Sequence, residues 1–136
     1  MRVVLRLAKD SRGGAIVEFA LLAPLLLTLL LGGLDFGRLF YARQGLEYAT
    51  EEAGRYYMLN PSTGQSDITS YLQARMPGGM GSSVNVAYAD TASCNGNSNV
   101  TCTTITATYS FAFGAYLGIG TTTLTATAKA VRYTGS

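Results

Sequence analysis

The pattern of apolar positions divides the chain into regions of different periodicity. The first is a nearly continuous apolar run from Ala15 to Leu34, in which sixteen uncharged residues separate Glu18 from Asp35. About twenty apolar residues suffice for a helix to cross the hydrocarbon core of a bilayer. The run therefore predicts a membrane-spanning helix over residues 14–34, preceded by a short leader, residues 1–13.

Residues 35–59 continue the helix in amphipathic form. Apolar side chains recur at alternating steps of three and four, at Leu39, Ala42, Leu46, Ala49, Ala53 and Tyr56. Two opposite-charge pairs at a spacing of four, Arg43–Glu47 and Glu51–Arg55, indicate a solvated second face. We expect one unbroken helix from about residue 14 to Leu59.

Residues 60–136 form a separate region with a short helix. Asn60-Pro61 ends the long helix, since proline disfavours helical geometry in the residue before it. Ser66 is a suitable N-cap, and a one-sided apolar pattern follows at Ile68, Tyr71, Leu72 and Met76. Pro77 and the two glycines after it predict the end of this helix.

From Val84 the apolar period changes to two, which predicts three antiparallel strands with short connections. The inner positions are Val84, Val86 and Tyr88; Ile105, Ala107, Tyr109, Phe111 and Phe113; and Leu124, Ala126, Ala128 and Ala130. The alanines of the third strand leave a shallow face on which a helix backbone can lie closely. The expected fold is α+β, with the amphipathic half of the long helix packed on this sheet.

The charge distribution orients the predicted span. Residues 1–13 carry a net charge of +3, while the remaining residues carry −1. This asymmetry predicts a cytoplasmic N-terminus and a periplasmic C-terminal region, with the helix in contact with membrane lipid. A cleavable secretory signal fits less well, because the apolar run exceeds the usual length and no Ala-x-Ala site follows it. A buried helix of a soluble protein is a third interpretation.

Composition argues against catalysis and against metal or cofactor binding. The chain is 48% hydrophobic and 13% charged, and it contains no His and two Cys. It therefore lacks the commonest general base and the ligands of a zinc site. A net charge of +2 is too weak to indicate nucleic acid. The glycine-rich stretches at 78–81 and 114–120 match no phosphate-binding pattern and are interpreted as turns.

Cys94 and Cys102 flank a loop rich in asparagine between the first two predicted strands. On the periplasmic side a disulfide would persist and close this hairpin loop. Two separate buried thiols are the alternative. We expect a Cys94–Cys102 disulfide.

Glu18 is the one charged residue in the apolar run from Ala15 to Leu34. A carboxylate in mid-membrane costs about 3 kcal/mol by insertion scales. If the chain is cut between Gly13 and Gly14, the new α-amino group lies one helical turn from Glu18 and can pair with it or with the Glu of a neighbouring subunit. The alternative is an interfacial Glu that reaches toward water. A row of small residues, Gly33, Gly37, Gly45, Ala49 and Ala53, indicates close helix–helix contacts or room for the chain's own sheet.

These features together resemble a type IV prepilin: a basic leader, glycine at the cut, and Glu18 fifth in the mature chain and followed by Phe19. More specifically, residues 12–56 resemble the TadE-like family, pseudopilins or minor pilins of the tight-adherence (Flp) pilus. The residues that carry the resemblance are Arg12-Gly-Gly-Ala-Ile-Val-Glu-Phe-Ala, Pro24, Leu34-Asp-Phe-Gly-Arg38, Tyr41-Ala-Arg-Gln44, Ala49 and Glu52-Ala-Gly-Arg-Tyr56.

The resemblance implies a pilin-like fold and a structural role. It implies processing by prepilin peptidase and contacts with the major Flp pilin, a second pseudopilin, and the inner-membrane assembly platform with its cytoplasmic ATPase. Two other hypotheses remain. One is an uncleaved single-pass anchor that presents a periplasmic adaptor domain. The other is an extracytoplasmic binding module whose ligand site is aromatic, at Tyr71, Tyr88, Tyr109, Phe111 and Tyr116.

Overall fold

The computed structural model describes residues 11–114 and 118–133, and its internal contacts divide the chain into two units, Met1–Gly37 and Arg38–Ser136. Residues 1–10 of the leader and Tyr116 lie outside the described residues. The regular elements are helix α1 (Ser11–Leu59), helix α2 (Gln65–Arg75) and strands β1 (Val84–Ala92), β2 (Val100–Ala112) and β3 (Thr121–Tyr133). Short 3₁₀ segments cover Pro77–Ser83 and Cys94–Gly96.

Helix α1 ends where the sequence predicts and begins earlier. The expected start was about residue 14, and the described helix includes Ser11. At the other end the backbone N–H and the side-chain amide of Asn60 both donate to the Tyr56 carbonyl, at 3.1 and 2.9 Å. These bonds satisfy a carbonyl that would otherwise lack a partner at the helix terminus.

The apolar stripe of the second unit faces its core, with one correction. Ala42, Leu46, Ala49 and Ala53 are fully buried, as the spacing predicts. The predicted Tyr56 is partly buried against the core, and its neighbour Tyr57, which the spacing does not predict, is only 4% exposed. The step from 53 to 57 is four residues, which keeps Tyr57 on the buried face.

The sheet has the predicted antiparallel order β1-β2-β3. Ile105 and Ala107 of β2 are fully buried beneath α1, and Ala126, Ala128 and Ala130 of β3 lie on the same face. A Cβ built on Gly54 would lie 3.1 Å from the Cβ of Ala128, so the helix backbone approaches β3 closely. The prediction that the alanines of the third strand admit a helix is confirmed.

Two ring contacts show how the helix runs along the sheet. The guanidinium of Arg38 lies 5.8 Å from the centroid of the Phe111 ring, near the end of β2. The guanidinium of Arg132, near the end of β3, lies 4.6 Å from the Tyr57 ring and donates to its hydroxyl. The start of the second unit's helix therefore lies at the β2–β3 connection, and its end lies at the opposite end of the sheet.

Helix α2 packs as predicted but is capped differently. Ile68 and Leu72 are fully buried, and Met76 is the C-cap just before Pro77. The N-cap is Gly64, with no side-chain cap hydrogen bond, so the assignment of Ser66 was wrong. The Gly64 carbonyl accepts from the N–H groups of Asp67 and Ile68, which starts the helix two residues earlier.

Gly81 is a packing site that tolerates no side chain. It is buried, and a Cβ at this position would lie 2.0 Å from the carbonyl oxygen of Gln73. Because that neighbour is backbone, Gly81→Ala must displace α2.

For Gly81→Ala we expect a loss of about 1–3 kcal/mol in the free energy of unfolding, measured by urea titration of the full chain in detergent. Gly64→Ala, which meets only side-chain atoms at 3.7 Å, is the matched control and should cost less. Equal effects of the two variants would contradict this packing.

The β1–β2 connection is closed by the predicted disulfide between Cys94 and Cys102. Within its loop Gly96 has a φ of 75°, and the Asn99 N–H donates to the Asn97 side-chain oxygen at 3.0 Å. The Asn97 side chain thus stabilises the turn locally.

The disulfide should stabilise the second unit. By the chain-entropy model, closing this short loop contributes about 2–3 kcal/mol. Replacing both cysteines by serine should therefore lower the free energy of unfolding by that amount in the urea titration. Protein taken from the host without reductant should resist alkylation and should take up two labels after reduction. Two labels without reductant would contradict the disulfide in the native protein.

Candidate assembly site

The first unit presents an almost completely exposed apolar helix. Most of its large side chains from Ile16 to Leu34 are more than half exposed. The helix is long and apolar enough to cross a membrane, and none of its most apolar window is buried. Among the described residues it is the one such helix. A surface of this size is unfavourable in water, so it requires an apolar environment.

Gly13 and Gly14, the residues of the predicted cut, lie in the first turn of α1. Both are exposed, and a Cβ built on either meets no atom within 4 Å. Glu18 and Phe19 follow on the same helix and are exposed, Phe19 at 69%. Gly14 and Glu18 are four residues apart, which places them on one face of the helix. In a chain that begins at Gly14, the α-amino group would therefore lie on the same helix face as the Glu18 carboxylate and could pair with it.

Pro24 lies inside this apolar segment without ending the helix. Proline removes a backbone donor and usually disturbs the preceding turn. The hydroxyl of Thr28 donates to the Pro24 carbonyl at 2.7 Å, so this hydroxyl has its hydrogen-bond partner within the helix. Such local pairing is required of a hydroxyl in lipid.

The row of small residues separates into two parts. Gly33 and Gly37 face open space, since a Cβ on either would meet nothing within 4 Å. In the second unit, Ala49 and Ala53 are in the core, and a Cβ on Gly45 would lie 2.5 Å from Cγ of Pro77. The chain's own packing therefore explains the part from Gly45 onward.

The charged face of the second unit confirms one predicted pair and not the other. The Arg43 guanidinium lies 3.0 Å from the Glu47 carboxylate, both well exposed. Among the described residues no ion pair joins Glu51 to Arg55; the neighbouring Glu52 instead accepts from Arg75 of α2 at 3.3 Å. Because Glu52 and Arg75 are 23 residues apart in the sequence, their contact follows no helical spacing, and sequence periodicity could not predict it.

The four described aromatic side chains of the predicted ligand site pack on the core. Tyr71 stacks on Tyr56 with ring centroids 4.2 Å apart, and Phe111 is 3% exposed. Tyr109 and Tyr88 are partly buried against the same core. Burial raises the pKa of Tyr88, and its hydrogen bond with Thr69 opposes that shift only in part. These contacts favour a structural role over the ligand-site hypothesis.

Metal ligation has no support in the described part of the chain. No group of three or more His, Cys, Asp or Glu side chains lies close enough there to hold an ion. The first unit is an exposed apolar helix with a single carboxylate, Glu18, near its start. Such a helix is suited to insertion into a membrane and to packing against other helices.

The family model for TadE-like protein matches residues 13–55, about a third of the chain. The matched segment contains Gly13, Glu18, the exposed apolar surface and the buried stripe up to Ala53. No curated protein and no solved structure matches the chain. Over residues 13–55 the chain is thus similar to TadE-like proteins, and the comparison says nothing of the remaining residues.

Proposed function

We propose that this protein is a structural pseudopilin, or minor pilin, of the tight-adherence pilus. It is held in the inner membrane by residues 14–34, with its N-terminus in the cytoplasm and residues 60–136 in the periplasm. From there it joins or primes pilus assembly. The observation that carries the proposal is the TadE-like match over a helix whose apolar surface is exposed from Ile16 to Leu34.

The proposal includes processing by prepilin peptidase between Gly13 and Gly14. Support comes from the two exposed glycines in the first turn of α1 and from the basic leader before them. The cut would create an α-amino group one turn from Glu18. A carboxylate and an amine on neighbouring helices would then favour one axial offset, since an unpaired charge in an apolar bundle is costly.

The proposed partners follow from the family. They are prepilin peptidase, the major Flp pilin, a second pseudopilin and the inner-membrane assembly platform. The exposed apolar helix of the first unit is the surface offered to lipid before assembly and to neighbouring helices after it. The uncleaved membrane anchor is the second candidate, and it shares the exposed helix but needs no cut at Gly13.

The role in pilus assembly is tested by deleting the gene and counting sheared pili. We expect few or no pili in the deletion strain and recovery on complementation with the intact chain. A complementing chain that lacks residues 14–34 but is directed to the periplasm is the control and should not restore pili. Wild-type pili in the deletion strain would contradict the proposal.

A further inference from the structure

The two edges of the three-stranded sheet differ in how they are covered. Strand β1 forms one edge, and its Val84 carbonyl accepts a hydrogen bond from the Gln73 side chain of α2 at 3.2 Å. Tyr88 of the same strand shares a hydrogen bond with Thr69 of α2 at 2.9 Å. Helix α2 therefore guards the β1 edge. Strand β3 forms the other edge, and its 13 residues, Thr121–Tyr133, include no proline or glycine.

The register shows which backbone groups of β3 are directed to its free edge. The Phe113 N–H donates to the Gly120 carbonyl at 3.0 Å, and this pair continues the register that sets Ala112 opposite Thr121. Hydrogen-bonded and non-hydrogen-bonded pairs alternate along an antiparallel ladder. The even-numbered residues of β3 therefore bond to β2, and the odd-numbered residues direct their N–H and C=O groups outward. Among the described residues, none hydrogen-bonds to the outward groups of residues 123–131.

A groove borders this free edge on the side of α1. Two adjoining pockets of about 370 and 280 Å³ form the groove, and Glu51 and Thr127 line both of them. Glu47 lies at one end of the groove, and Arg55 and Lys129 lie at the other. The groove is therefore acidic at one end and basic at the other. Natural proteins usually guard a long edge strand against pairing, so an open edge beside a groove indicates a binding surface.

We propose that the free edge of β3 binds an extended segment of a partner protein, which joins the sheet as a fourth, antiparallel strand. Its backbone would pair with the outward N–H and C=O groups of β3, which supply the affinity in strand addition. Alternate side chains of the segment would lie in the groove, where Glu51 has no ion-pair partner among the described residues. The inference concerns the second unit alone and does not depend on storage of the protein in a membrane.

The charges of the groove determine the order of charges in the segment. Along α1 the rise from Glu47 to Arg55 is about 12 Å, a distance that about four residues of extended strand cover. Helix α1 runs along β3 in the direction of that strand, and the segment runs against it. An acidic residue of the segment therefore comes first, opposite Arg55, and a basic residue follows four positions later, opposite Glu47 and Glu51. The β3 strand of a second copy contains no acidic residue and does not fit this order.

The probes are two end-blocked peptides, Thr-Glu-Thr-Val-Thr-Lys-Thr and the charge-exchanged form Thr-Lys-Thr-Val-Thr-Glu-Thr. Amide hydrogen exchange of the full chain, with isotope-labelled threonine and in detergent, is followed by NMR with and without each peptide. The N–H groups of Thr125 and Thr127 face the free edge, while that of Thr122 faces β2 and serves as the reference. Thr127→Pro removes an edge donor, and Thr127→Val, which keeps the N–H, is its matched control.

We expect the first peptide to slow exchange at Thr125 and Thr127 by at least about tenfold and to leave Thr122 unchanged. Thr127→Pro should abolish this effect, and Thr127→Val should retain it. A variant that combines Glu51→Lys with Arg55→Glu leaves the strand intact and should shift the preference to the charge-exchanged peptide.

Three results would overturn the proposal. Exchange at Thr125 and Thr127 that neither peptide slows would refute the binding edge. Equal slowing by both peptides would refute the charge order assigned to the segment. Edge amides that exchange slowly without peptide, in a chain that sediments as a dimer, would identify a second copy as the occupant of the edge.

Discussion

Substitution of Gly13 by leucine is expected to block maturation and to leave the longer form of the protein in the membrane. The peptidase must accept the residue before the cut in a site at the membrane edge, directly after the basic leader. A side chain that overfills such a site costs about 1–3 kcal/mol, which lowers the cleavage rate by about 5- to 160-fold. The fold is not affected, because a Cβ at Gly13 meets no atom within 4 Å.

The measurement is an immunoblot of host membranes, which resolves the precursor from the mature chain. Gly33→Leu is the matched control, since Gly33 lies in the same helix and also faces open space. It should be processed like the wild type. Normal processing of Gly13→Leu would refute the cut between Gly13 and Gly14.

Replacement of Glu18 by alanine should leave processing and membrane insertion intact and strongly reduce assembly. Removing the carboxylate relieves a cost of about 3 kcal/mol in mid-membrane, so insertion should not suffer. What is lost is the partner of an α-amino group in an apolar bundle, where breaking a pair costs about 3–5 kcal/mol. We therefore expect at least about a tenfold loss of the subunit from sheared pili.

Two further variants separate charge from other effects. Glu18→Gln keeps the shape of the side chain and removes its charge, so it should behave like the alanine variant. Asp67→Ala removes an exposed carboxylate of the second unit and should assemble normally. Wild-type recovery of Glu18→Ala with its partners would make Glu18 an interfacial residue and would favour the uncleaved anchor.

Periodicity predicts the elements of this fold because each one obeys a local rule. The change of apolar spacing from 3.6 to two residues separates α1 from the strands, and Asn60-Pro61 stops α1 at Leu59. The alternating alanines of β3 indicate the close helix approach. The cysteine spacing and the predicted compartment together indicate the disulfide.

The details that sequence could not supply depend on contacts between distant residues. Tyr57 is the more deeply buried of two neighbouring tyrosines, while Tyr56 is partly buried against the core and stacks on Tyr71 of α2. Gly54 has no recognisable motif, yet its close approach to Ala128 sets the helix–sheet distance. Strand β2 ends at Ala112, one residue before the predicted inner position of Phe113.

The position of the candidate assembly site can be predicted from the sequence, but the roles of its residues cannot. Sequence places Glu18 and the apolar run on one helix directly after Gly13, and the structure shows Gly13, Glu18 and the run exposed on α1. Their proposed roles involve a peptidase and neighbouring subunits, whose surfaces are not encoded in this chain. For the same reason the small-residue row is explained only from Gly45 onward, where the partner is the chain itself.

The mass of the mature chain, purified from its own host, tests the central claim most directly. A processed pseudopilin begins at Gly14, so the spectrum should show a chain that lacks residues 1–13. The same sample of the Gly13→Leu variant should show the unprocessed mass. A wild-type chain that retains Met1 and the whole leader would contradict the account and would identify the protein as an uncleaved membrane anchor.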